Sequence, residues 1–139
     1  MTKLHEGLAR HHDLYDRIII DAEPGFRPAS IGLVTLLSDV VLVVSRDRPV
    51  ELKALRVLDD HMTRLKDEMS EFRPFLVLNE CVRPAEEQLT VIKRYGIRLP
   101  LLAAVPLYVE LRQRADFSFD RAYHFHRDAC QIADVLLGR

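Results

Sequence analysis

Apolar positions along this chain alternate between short continuous runs and longer stretches in which they recur every three or four residues. The first kind predicts buried strands and the second amphipathic helices. Leu4, Leu8 and Leu14 suggest a modest helix over residues 2–14. Residues 17–21 then read Arg-Ile-Ile-Ile-Asp, a run of β-branched residues that predicts a first buried strand, ended by Pro24 and Gly25. Ile31, Val34 and Leu37 predict a short helix, and residues 40–45 a second strand. Leu52, Leu55, Leu58, Met62, Leu65 and Met69 share one face of a long helix over 51–70, with Lys53, Asp59, Asp60, Lys66 and Asp67 placed largely elsewhere. A third strand is expected over 75–78, ending at Asn79. Pro84 starts a further helix and Gly96 stops it. A fourth strand over 101–105 closes at Pro106. A helical turn or two over 109–115 and a helix over 119–137 follow, with Tyr123, His126, Cys130, Ala133 and Leu137 on its inner side.

Alternating strands and helices predict an α/β fold, a mostly parallel sheet of about four strands flanked by helices and joined by right-handed crossovers. The 139 residues, 48% hydrophobic and 29% charged, suit one domain over 1–139. A formal net charge of −1 gives no global attraction to DNA or to an anionic membrane. No apolar run approaches the roughly 20 residues that span a bilayer. Cys81 and Cys130 lack CxxC spacing, so reduced thiols and a cytoplasmic location are expected, with Cys130 in the core. The six histidines include the adjacent pair His11 and His12, and His124 with His126 two apart; neither pair shares a helical face, and no metal site is expected from them.

Ligands of open α/β sheets sit outside the carboxyl ends of the strands, so Asp21 is where a functional acid is expected. The stretch Tyr-Asp-Arg-Ile-Ile-Ile-Asp-Ala-Glu-Pro-Gly over residues 15–25 resembles the Walker B strand and switch II loop of ParA/MinD-type P-loop ATPases. Asp21, Pro24 and Gly25 match that pattern, whereas Ala22 and Glu23 depart from it. The order of the later features is similar to the C-terminal half of the same family over essentially the whole chain. The resemblance implies a magnesium or water ligand at Asp21, an adenine contact at Asn79 and a further segment near the base beginning at Pro106. It also implies a P-loop NTPase-like, Rossmann-like sheet.

A P-loop needs G-x-x-x-x-G-K-[ST], because glycine N–H groups must approach the phosphates and a lysine must neutralise them. The glycines are Gly7, Gly25, Gly32, Gly96 and Gly138, and none precedes a lysine. The chain thus looks like the family without its N-terminal strand and P-loop. The expectation is a truncated or degenerate ATPase domain without independent hydrolysis, acting in a partitioning, positioning or regulatory assembly. The alternatives are a pure interaction scaffold with a vestigial Walker B acid, or part of a complete ATPase whose other half lies outside this chain. No cofactor is expected for the chain alone, and Mg-ATP if the missing half is supplied. In the family the P-loop strand lies between the Walker B strand and the strand matching 40–45. Residues 18–20 are therefore expected either to pair directly with 41–44, or to await a homo-oligomer or partner chain that completes the sheet. DNA is a partner the family implies and the net charge does not support; no membrane partner is expected.

Overall fold

Four valines in the six-residue run Val40–Ser45 make β1, the first strand of the sheet. A computed structural model of the chain describes residues 6–7, 10–11, 14–25, 27–108 and 123–137. Its elements run α1 (Pro28–Leu37), β1, α2 (Pro49–Glu68), β2 (Arg73–Cys81), α3 (Ala85–Arg94), β3 (Leu101–Pro106) and α4 (Tyr123–Leu137). The sheet has three parallel strands in the order β1-β2-β3, so each strand lies beside the one before it in sequence. Among the predicted elements, those over 2–14 and 109–115 and the start of the last helix fall largely or wholly outside the described residues.

The helices begin and end where their sequences say they should. Proline occupies the first turn of α1 and of α2, where its missing N–H costs no hydrogen bond. Glu86 and Glu87 open α3 and Lys93 and Arg94 close it, each complementing the helix dipole. Gly96 then adopts φ +70. Its N–H donates to the Lys93 carbonyl at 2.9 Å and the Ile97 N–H to the Ile92 carbonyl at 3.1 Å, the paired bonds of a Schellman motif.

One face of the sheet carries the core. Val41 and Val43 of β1 lie beside Pro74 and Leu76 of β2 in register, and with Leu78 they pack under Leu52, Leu55, Leu58 and Met62 of α2 and Ile92 of α3. Ile31 and Val34 of α1 pack against the same cluster. α4 packs against β3. On the opposite face Val77 is buried, yet its register partner Val44 is 62% exposed and Leu42 is 37% exposed. That face is therefore bare where it reaches β1.

Four expectations are corrected. Residues 17–21 are not a strand: they lie outside every element and are exposed, with Ile19 at 94%, and the sheet has three strands where about four were expected. Three isoleucines supply β propensity, but a strand exists only beside a neighbour, and no described residue pairs with them. The direct pairing of 18–20 with 41–44 is accordingly not formed. Asn79 lies within β2, which runs on to Cys81 and does not end at the asparagine. On α4, His126, Cys130 and Ala133 are exposed, while Asp128, Ala129, Ile132 and Leu136 are half-buried. The Tyr108 hydroxyl donates to Asp128 Oδ2 at 2.9 Å and holds that side of the helix inward. No helix among the described residues is long and apolar enough to cross a membrane.

Candidate functional site at the carboxyl ends of the strands

The three strands point their carboxyl ends the same way, bringing together the segments that follow β1, β2 and β3. The register shifts between Leu78 and Cys81, and Glu80 takes φ 55, a left-handed conformation unusual for a residue with a side chain. Asn79 is exposed, and its Oδ1 accepts the Glu80 N–H at 2.9 Å, which supports that irregular turn. Arg46 Nε lies 2.8 Å from the Glu80 carboxylate. Cys81 and Pro106 are register partners, and the Leu107 N–H donates to the Cys81 carbonyl at 3.1 Å. Pro106 thus ends its strand, and Asn79 lies two residues short of the end of the neighbouring one.

The centre of this region is Asp47, a charged residue only 1% exposed in the loop after β1. Its Oδ2 accepts the backbone N–H groups of Val82 and Arg83 at 3.3 and 3.4 Å, Arg83 Nη1 at 3.2 Å and Gln88 Nε2 at 3.0 Å. Arg83 Nη1 also donates to the Asp47 carbonyl at 2.8 Å, and Gln88 Nε2 to the Arg83 carbonyl at 3.2 Å. A buried carboxylate is tolerated because it is both ion-paired and hydrogen-bonded. Asp47 Oδ1 and Gln88 Oε1 remain buried without a hydrogen-bond donor. Burial, and next the Asp47 charge, push the Cys81 thiol up to about 11, with the Arg83 charge pulling the other way. The protonated thiol is therefore favoured at neutral pH, which works against nucleophilic reactivity.

What this arrangement offers a ligand is recognition. Arg83, with its side chain 38% exposed, presents a fixed cation just after β2, and Asn79 an exposed amide within the last residues of the same strand. No group of three metal-ligating side chains occurs among the described residues.

Asp21, Ala22, Glu23, Pro24 and Gly25 are all exposed and lie outside the sheet. Gly25 has φ +107, so the expected break in the chain occurs there. Glu23 lies 3.6 Å from Arg27 in an exposed ion pair. Among the described residues no hydrogen bond or ion pair joins Asp21 to Asn79 or Pro106. The sequence reading missed Asp47, Arg83 and Gln88. The available signal was an acid directly after the carboxyl end of β1, in the Arg-Asp-Arg-Pro stretch over 46–49.

A cleft of about 320 Å³ lies at the other end of the sheet, lined by Ser38, Asp39, Glu68, Met69, Ser70, Glu71 and Phe72. It adjoins the amino ends of β1 and β2, away from the ligand-binding end of parallel sheets. No family model, curated protein or solved structure matches this chain.

Proposed function

We propose that this chain is a degenerate ATPase-like module of the ParA/MinD type, which does not hydrolyse ATP by itself and acts through a chain that completes its sheet. The observation that carries the reading is a conjunction in the sequence. A Walker B-like stretch ending in Asp21, and an ordered run of matching elements through Asn79 and Pro106, occur with no glycine preceding a lysine. Phosphoryl transfer depends on positioning and on charge stabilisation at the phosphates, and the parts that perform both are missing. The parallel α/β sheet is compatible with this descent and is shared by many unrelated functions.

The position of Asp21 supports binding over catalysis as its role. The acid stands in an exposed segment outside the sheet that carries Asn79, and among the described residues no hydrogen bond or ion pair joins the two. On this reading the protein serves in a partitioning, positioning or regulatory assembly, and Mg-ATP becomes relevant only when another chain brings a phosphate cradle.

Titration of the purified chain with a fluorescent ATP analogue and magnesium tests this. The expected result is no saturable binding up to millimolar nucleotide. Saturable binding that both Asp21→Ala and Asn79→Ala weaken would overturn the proposal, because it requires a surviving nucleotide site.

A further inference from the structure

Among the described residues, 17–21 pair with no strand and β1 has a neighbour on one edge only, and we propose that these two stretches satisfy one another between two copies. Residues 17–21 of each copy add as a strand, parallel to β1, along the free edge of β1 in the other. This inference rests on the reading of the module as one completed by another chain, and it names that chain as a second copy.

The donor stretch is apolar and, among the described residues, unpaired in any sheet: Ile18, Ile19 and Ile20 are 41%, 94% and 37% exposed. The acceptor is β1, which pairs with β2 on one side only and carries exposed Leu42 and Val44 on its bare face. Parallel sheets are normally buried on both faces, and an apolar open edge is a template for another strand.

Among the described residues, none closes this gap within the chain. α1 is anchored, with Ile31 and Val34 against the core, Thr35 buried, and the Asp39 carbonyl just beyond it accepting the Arg73 N–H at 2.8 Å. With the connecting helix seated, residues 17–21 still stand off the sheet. Residues 22–25 and 27, between them and α1, are exposed and include Pro24 and Gly25, the sort of hinge across which identical elements are exchanged.

Charge selects the orientation. In a parallel pairing Arg17 comes to the end of β1 that carries exposed Asp39, and Asp21 to the end that carries Arg46 and Arg48. An antiparallel pairing would set Asp21 toward Asp39 and Arg17 toward the two arginines. Each copy has one donor stretch and one β1 edge to receive it, so a two-fold exchange closes with both used.

Sedimentation velocity over a range of concentrations, with hydrogen exchange read at residues 17–20, tests the proposal. The expected wild-type species has twice the 16.1 kDa chain mass, with slowed exchange at those amides. Ile19→Pro removes a ladder donor at a position outside every element, and Val44→Lys puts a charge on the receiving strand. Each is expected to give a 16.1 kDa species with an unchanged circular dichroism spectrum. A wild-type monomer at every concentration, a dimer that survives either substitution, or a dimer whose 17–20 amides exchange freely would overturn the proposal. None of these outcomes involves nucleotide, so they are separate from the failure of the ATP titration.

Discussion

At the scale of single residues, the side chains that fasten this fold are charged ones in the interior. Asp59 is 0% exposed on α2, and its Oδ1 accepts the backbone N–H groups of both Arg98 and Leu99 at 2.7 Å. Arg98 Nε donates to its Oδ2 at 3.0 Å, and Arg98 Nη2 reaches Asp60. The hydrogen bond that Arg98 donates to Asp59, and the charges of the neighbouring carboxylates, hold its guanidinium above its usual range. Asp59→Ala strands two buried N–H groups and should cost about 3 kcal/mol; Asp59→Asn keeps an acceptor and should cost less. Urea unfolding of the two variants measures both. Cys81 sets a second expectation, since its thiol is raised from 9.0 to about 11. Above pH 9 the unfolded chain releases this proton while the folded chain keeps it. The contribution is thus complete below pH 9 and is lost as pH rises through 11, about 2–3 kcal/mol in all. Cys81→Val should flatten the stability curve over that window relative to wild type, as followed by denaturant midpoints. Neither Asp47 nor Asp59 was legible as a buried residue. Both are charged, and their partners lie 35 to 41 residues away in the chain, beyond any local pattern.

At the scale of elements, what periodicity and punctuation express could be read, and what a neighbour decides could not. The three strands of the sheet and α1 to α3 lie where the apolar spacing puts them, with ends shifted by a few residues. Residues 17–21 carry three consecutive isoleucines and form no strand, because propensity measured on a sheet is largely packing against the strand alongside. The inner side of α4 was misread for a related reason. Tyr123, His126, Cys130, Ala133 and Leu137 fit one helical stripe, but the contact from Tyr108 to Asp128 turns another stripe inward. Cys130 is exposed as a result, with its Sγ 3.3 Å from His126 Nε2. The end of α3, by contrast, follows from a single glycine. A Cβ at Gly96 would meet only the Arg56 side chain, no closer than 3.6 Å, so Gly96→Ala tests conformation without a clash. At φ +70 it should lose about 1 kcal/mol, read as a lowered thermal midpoint with the fold intact.

At the scale of the whole molecule, the fold class was legible and the candidate site only in part. Pro106 ends its strand as expected and Asn79 lies two residues short of the end of the neighbouring one, whereas Asp21 was assigned to a sheet that it does not join. The proposed ATP titration and the sedimentation experiment both address that separation, one through chemistry and the other through assembly. The sequential order of the strands also has a consequence for the chain as it is made. Because β2 lies beside β1 and β3 beside β2, each of these strands leaves the ribosome after its neighbour and can be added as it appears. Residues 17–21 are synthesised before all three and, among the described residues, pair with none of them. A β-forming stretch born ahead of the sheet is thus the one that stands outside it.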